Sequence, residues 1–405
     1  MAMRVAAAVV AAVLVAATML LTLRLARGRI TAATAGLLAA TVGASPFVES
    51  FTLSGELLAS LPAVASLLCF CVYLERRRVR WLLLAGVLTG SAVLVKQSAF
   101  DGGLAAIGFL LWRERRRGIA PAAVLVSAAL VPVAIAAASA ARLDDWVYAV
   151  VGYRLDGDSL LSGSVSGRLH QVWLSLPPAT KGLGLLALLG AVGWRRSPLL
   201  ARLWLGAAAL GVLGGGNFHP HYYLQLVPPL SLLGAVGLRT LWYARRRRAL
   251  AVSLAGATAS LALALPVALA SPASQAEAIW PHDPHLVHDG ALARYVRAHT
   301  RVREPILAIW ADANLYYLAD RRPAVRYLWA RNVASIPGAL AAVHRALALR
   351  RPALVLVVQP PATLDPSGRT GRLLRREYRR VARVRGVSVY RSRQPRATAA
   401  RATVR

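Results

Sequence analysis

The chain has 405 residues, 57% of them hydrophobic, a formal net charge of +32 and a mean hydropathy of +0.51. So apolar a sequence over this length excludes an ordinary soluble domain and points to a polytopic membrane protein. Its arginines fall in short clusters between apolar runs, where they set topology, and no basic module with interleaved aromatics appears, so nucleic acid is not an expected partner.

Residues near 5 to 23 form the first apolar run. Arg24, Arg27 and Arg29 follow directly and resist translocation, so the run reads as an uncleaved span ending in the cytoplasm rather than a leader. The N-terminus then starts outside, and this parity predicts one further span upstream. Ile30 to Pro46 returns outward. Runs three and four form the hairpin Phe51 to Asp101, reading FTLSGELLASLPAVASLLCFCVYLERRRVRWLLLAGVLTGSAVLVKQSAFD, with the basic knot Glu75 to Arg80 at its cytoplasmic turn. Cys69 and Cys71, the only cysteines, lie at mid-span and point about 200° apart on a helix, which suits neither a disulfide nor a metal.

Gly102 to Trp112 runs inward to the cluster Arg113 to Arg117, and Pro121 to Ala141 runs outward. A polar outer stretch follows, Arg142 to Lys181, with Asp144, Asp145, Arg154, Asp156 and Asp158. Gly182 to Trp194 goes inward, Leu203 to Leu213 outward, GGGNFHPHYY forms the outer turn, Leu224 to Tyr243 goes inward and Leu250 to Ala270 outward. With Arg195 and Arg196, and Arg245 to Arg248, following the inward runs, all five basic clusters share one side, which supports about ten spans.

From Ser271 the pattern changes. ILAIW at Ile306, AVRYLW at Ala324 and ALVLVV at Ala353 read as strands, as does Val387 to Arg391. Helices fit Asp289 to Thr300, Ile336 to Arg350 and Arg369 to Tyr378. The alternation predicts a small α/β domain over residues 271–393, after a transmembrane part over 1–270 and before a disordered basic tail, 394–405. Parity puts this domain outside the cytoplasm, on a multi-pass protein of the plasma membrane. No Walker loop, GxGxxG or HExxH appears, so the cradle of an ATP-driven transporter is missing.

Four groups can carry chemistry. Glu56 lies about 20 residues before Arg76, and Lys96 16 residues after Arg80, roughly 30 Å and 24 Å up their helices. An acid and a base therefore sit near the same outer face, at a depth where ionisable groups face a cavity or each other. Lys96 with Gln97 suits a phosphate, and Glu56 suits a base or a partner for the lysine; Glu49 is a weaker candidate nearer the loop. The turn GGGNFHPHYYLQLVPPL gathers Asn217, His219, His221, Tyr222 and Tyr223, which suit a sugar or phosphate or an aromatic belt. Its His-x-His pair offers a divalent metal only two ligands, too few to define a site. The outer carboxylates, Asp156 among them, suit an acceptor or a solvated loop. WADANLYYLADRRPAVRY brings Asp312, Tyr316, Arg321, Arg322 and Arg326 after a strand, for an anionic polymer, lipid phosphates or domain packing. The basic loops also meet anionic membrane lipids.

These residues resemble a known family. The hairpin GELLASLP…ERRRVRWLLLAGVLTGSAVLVKQSAF is similar to the third and fourth spans of the GT-C membrane glycosyltransferases, among them the bacterial protein mannosyltransferase-like and aminoarabinose transferase-like enzymes. HPHYYLQLVPPLSLLGAVGL resembles their later span, and ADANLYYLADRRPAVRY with ALVLVV their outer C-terminal domain. The resemblance implies a polyprenyl-phosphate sugar donor, transfer on the outer face to an envelope acceptor, and Lys96 and His219 to Tyr223 lining the donor cavity. The family's catalytic aspartate lies in the first outer loop, and no residue here matches it. The expected reaction is displacement of a lipid phosphate from a sugar by an acceptor hydroxyl, with Glu56 as base and Lys96 holding the phosphate. A lipid-linked-sugar transporter and an inactive envelope protein stay open as alternatives.

Overall fold

The computed structural model describes residues 2–49, 52–153, 165–215, 218–244, 247, 251, 262, 264–267, 269–279, 284–311 and 313–393. The chain divides into two units, Met1–Val147 with Ser162–Ala270, and Tyr148–Leu161 with Ser271–Arg405.

The first unit is helical: α1 Ala2–Ala26, α2 Arg29–Gly43, α3 Gly55–Arg76, α4 Val79–Val95, α5 Asp101–Arg113, α6 Ile119–Ala138, α7 Val165–Gly193, α8 Leu199–Gly215 and α9 Val227–Tyr243. Among the described residues, four helices are long and apolar enough to cross a membrane: Met3–Ala26, Gly55–Arg76, Arg115–Ala138 and Pro220–Tyr243. A fifth joins them if Leu169–Pro177 and Ala179–Arg196, bent by 80°, form one span. The expectation of about ten spans counted runs that fold as helices of 13 to 17 residues, such as α5, α4 and α8. Those reach roughly 20–26 Å, less than the ~30 Å hydrocarbon core. The last expected run, Leu250 to Ala270, lies largely outside the described residues.

Local chemistry sets the hairpin that carries Glu56 and Lys96. Ser54 caps α3 by accepting from the Leu57 amide, and Arg77 closes the helix in the left-handed region at φ 52°. Inside the hairpin, Ser66 Oγ donates to the Ala85 carbonyl and lies 2.8 Å from Thr89 Oγ1, so both hydroxyls are satisfied in the apolar interior. On its other side α4 meets α6 through Gly86 and Gly90, spaced four apart. A methyl group at Gly90 would run into the Ala129 carbonyl, so only glycine lets the two backbones approach this closely. Leu67, Phe70, Leu82, Leu110, Leu125, Trp204 and Leu232 form the shared core of α3, α4, α5, α6, α8 and α9. At the arginine-rich end, Arg24 meets Glu75 at 2.7 Å and Arg77 meets Glu114 at 2.6 Å. Such exposed pairs fix loop geometry and contribute only about 0–1 kcal/mol each.

The second unit builds a four-stranded sheet, order β1-β2-β4-β3, from β1 Ile306–Ile309, β2 Leu354–Val357, β3 Tyr378–Val384 and β4 Val387–Ser392. β1 and β2 run parallel, and the other pairs are antiparallel. β1 and β2 are apolar on both faces because helices cover both. α10 Pro284–His299 packs on one face through Leu292 and Val296; α11 Ala339–Ala348 and α12 Arg369–Glu377 pack on the other through Val343, Leu347 and Leu374. Two expectations change here. AVRYLW is no strand: only Pro323 bridges Ile306, and the segment that follows is irregular. The expected last helix ends at Glu377, and β3 starts at Tyr378, because from there the backbone pairs with β4, Tyr378 opposite Ser392 through Val384 opposite Val387.

Buried polar groups hold this unit together. Asp365 accepts from Ser367, from the hydroxyl and amide of Thr370, and sits 3.0 Å from His344 Nε2. Burial opposes its ionisation, but these hydrogen bonds outweigh it and hold the carboxyl well below the usual carboxylate range. Burial pushes the Tyr316 hydroxyl up to about 12, and its oxygen accepts from the Ala308 amide.

Candidate functional site

The end of the helical unit opposite the arginine turns collects charge. α3 begins there, α4 ends there, and two short 3-10 turns lie there, Pro46–Val48 and Pro220–Leu226. Glu56 is in the first turn of α3, where the helix dipole favours a carboxylate, and is 4% exposed. Lys96 is the C-cap of α4. Its Nζ stands 2.6 Å from Glu56 Oε1, near enough for an ion pair but not aligned as a hydrogen bond. The same Nζ lies 4.2 Å from the centre of the Tyr222 ring, a cation–π contact with a buried aromatic.

The turn after α8 supplies the rest. Pro220 opens the 3-10 helix that presents His221, Tyr222 and Tyr223. His221 Nδ1 is 2.6 Å from Glu49 Oε2, and His221 Nε2 is 4.0 Å from Glu56 Oε2. His219 stacks on His221 with ring centres 5.5 Å apart, and both rings meet Tyr222 edge-on. Glu49 reaches this point because it caps Pro46–Val48 in the left-handed region at φ 52°. Two carboxylates, an ammonium, two imidazoles and a phenol thus converge from four separate stretches of sequence.

A second buried network sits beside it. Asp101, 2% exposed at the start of α5, accepts from Trp204 Nε1 at 2.7 Å and from Gln225 Nε2 at 2.8 Å; the same Nε2 also reaches the Ser98 carbonyl. Gln225 ends the 3-10 turn that bears His221, so this network fixes the turn against α5 and α8. Tyr223 and Ser175, 2.6 Å apart, tie the turn to α7.

Of the sequence-derived candidates, Glu56, Lys96, His219, His221 and Tyr222 come together. Gln97 is exposed in the turn just after Lys96. Asn217, Asp156 and Asp312 lie outside the described residues. Arg322 is exposed in the second unit, where its carbonyl accepts from the Ile306 amide. Two members of its group are structural: Tyr316 is buried, and the Arg321 guanidinium is spent on Thr300 and on the carbonyls of Ala319, Asp320, Arg297 and Thr300. Glu49 was underrated by sequence, since its neighbours gave no hint of a partner 172 residues away. Asp101 and Gln225 were visible as polar residues in apolar runs, but their pairing was not. Among the described residues no group of three or more His, Cys, Asp or Glu side chains is placed to hold a metal ion.

Comparison with known proteins agrees with this architecture. Residues 1–140 match the family dolichyl-phosphate-mannose-protein mannosyltransferase. No curated protein matches the sequence. Two structures of ArnT from Cupriavidus metallidurans, one bound to undecaprenyl phosphate and one in the apo state, each superpose with a TM-score of 0.59 at 16% identity, over 96% of this chain and 83% of ArnT. By sequence over its first third and by fold over nearly its whole length, the chain is similar to the GT-C membrane glycosyltransferases.

Proposed function

We propose that this chain transfers a sugar from a polyprenyl-phosphate donor to a cell-envelope acceptor at the outer face of the plasma membrane, with residues 271–393 on that same side. The observation that carries the reading is the convergence of Lys96, Glu56, Glu49 and His221 in one partly buried cluster at the end of the helices away from the arginine turns. An ArnT of the same fold binds undecaprenyl phosphate, which supports a lipid phosphate as the donor's carrier. An apolar cavity of about 170 Å³, lined by Leu14, Ala39, Leu57, Leu224 and Val227, adjoins the cluster through Leu57 and suits part of a prenyl chain.

In this reading Lys96 neutralises the phosphate as it leaves, and His219, His221 and Tyr222 hold the sugar and its phosphate. Glu56 accepts the acceptor hydroxyl's proton once donor phosphate draws Lys96 away from it. The acceptor oxygen then bonds to the anomeric carbon, the carbon–oxygen bond to phosphate breaks, and polyprenyl phosphate departs. Asp156, Asp312 and Arg322 are the side chains to test for acceptor binding.

The test uses the full chain in nanodiscs with a panel of radiolabelled polyprenyl-phosphate sugars. Transfer from at least one donor is expected, together with its loss in Lys96→Ala while the variant still inserts. Undiminished transfer in Lys96→Ala removes this site from the chemistry, and capture of lipid-linked sugar without transfer points to a carrier. A tag at Arg405 checks the sidedness: an impermeant label should reach it in intact cells, and labelling only after lysis inverts the topology.

A further inference from the structure

The positive-inside rule accounts for the arginines between the helices. It does not account for those at the end of the second unit. Residues 369–393 hold ten arginines and one acid, Glu377. Glu377 is already held by Arg350 and Arg376. Among the described residues, no other arginine of this segment has a carboxylate partner. All ten are exposed, along α12 and the β3–β4 ribbon.

Folding uses four of them, since Arg372, Arg383, Arg391 and Arg393 donate to the backbone carbonyls of Ser367, Gly386, His299 and Tyr378, but it gains little from so dense a run of charge. Arg379 faces Arg391 directly across the ribbon, and like charges so placed oppose the pairing. β3 is an edge strand, and a charged side chain on such an edge blunts pairing with another chain. Arg379, Arg380, Arg383 and Arg385 exceed that need. They line the outer edge of the sheet and its turn over roughly 20 Å, with Arg379 and Arg380 projecting to opposite faces, an array suited to a linear ligand that runs along the edge. Guanidinium forks match phosphate and carboxylate oxygens two at a time. The only large apolar side chain exposed in the segment is Val381, at 38%. A face seated on a membrane brings aromatic or aliphatic anchors, so an aqueous ligand fits better.

We infer that the outer edge of the β3–β4 ribbon, with the exposed arginines of α12 beside it, binds a linear polyanion bearing phosphate or carboxylate on each repeat, which for an outward-facing domain means an envelope polymer. The envelope setting rests on the topology proposed above; the binding does not, nor does it depend on sugar transfer.

The experiment measures binding of fluorescent linear polyphosphate, and separately of polygalacturonate, to the full chain in zwitterionic nanodiscs. Saturable binding of either that weakens steeply with salt is expected. The variant R379Q/R380Q/R383Q/R385Q should bind about tenfold more weakly or worse. The lysine counterpart, R379K/R380K/R383K/R385K, should keep most of the affinity, which separates lost charge from a damaged fold. A charge-matched control at the helical unit, R113Q/R115Q/R116Q/R117Q, should bind as the parent does. If the fourfold glutamine variant does not fold, R379Q/R380Q carries the test with a smaller loss. Equal loss in the control, or none in the ribbon variants, overturns the inference. So does capture by phosphatidylglycerol vesicles that depends on these arginines when neither polymer binds, since that makes the face a membrane contact.

Discussion

His221 Nδ1 lies 2.6 Å from Glu49 Oε2, while the far nitrogen of the same ring lies 4.0 Å from Glu56 Oε2. One imidazole therefore bridges two buried carboxylates, and one of them is also paired with Lys96. A carboxylate on Nδ1 fixes ring orientation and tautomer, so Glu49 controls what the other nitrogen offers the cluster.

That coupling predicts non-additive kinetics. Glu49→Gln and His221→Asn should each slow sugar transfer by about 10²-fold, within the range for positioned acid–base groups. The double variant should be no slower than the worse single one, because the pair acts as a unit. Initial rates across the three variants check this, and multiplicative losses would mean the two residues act separately.

Lys96 and Glu56 should show the asymmetry of buried ion pairs. Removing one partner strands a charge, at a cost of about 3–5 kcal/mol. Glu56→Gln and Lys96→Met should each lower the unfolding temperature in detergent. Combined, they should recover most of that stability but no transfer. A double variant as unstable as the singles would show that the pair is not what holds the α3 and α4 ends together.

Asp101→Ala leaves Trp204 Nε1 buried without an acceptor and Gln225 Nε2 with the Ser98 carbonyl alone, about 1–3 kcal/mol for the donor left unsatisfied. Lower thermal stability is expected, with faster hydrogen exchange confined to the 3-10 turn 220–226 and the start of α5. Exchange spread evenly over the unit would argue against a local anchor.

Gly90→Leu should push α4 from α6 and displace Lys96 at the end of α4. Stability and donor binding should fall together, whereas Gly206→Leu on α8, where an added side chain meets open space, should change neither. A cysteine cross-link scan between α4 and α6 reads the separation directly.

Asp365 sets the acid limit of the second unit. Its carboxyl is held below the usual range in the fold, so its contribution is fully present above about pH 4, the value of an unfolded carboxylate, and is lost as pH falls through the lower folded value. Asp365→Asn should weaken the protection of α11 and α12 at neutral pH, and the gap to the parent should close in acid. Hydrogen exchange at pH 7 and below pH 4 measures it; a gap constant with pH would assign the effect to packing alone.

The sequence determined most of what one-dimensional physics can determine. Apolar length named the membrane class, and the spacing of Glu56 and Lys96 from the basic knot placed both at one end of the hairpin. Strand-like runs marked β1 and β2, because a strand buried on both faces reads as an unbroken apolar stretch, and β4 showed as alternation, with Val387 and Val389 buried on one face. β3 stayed hidden, since an exposed edge strand full of arginine carries the composition of a solvated helix. Only the tertiary structure decided that Glu49 meets His221 and that Asp101 meets Trp204 and Gln225. A polar side chain in an apolar run announces that it needs a partner, but close packing alone selects which distant residue supplies it.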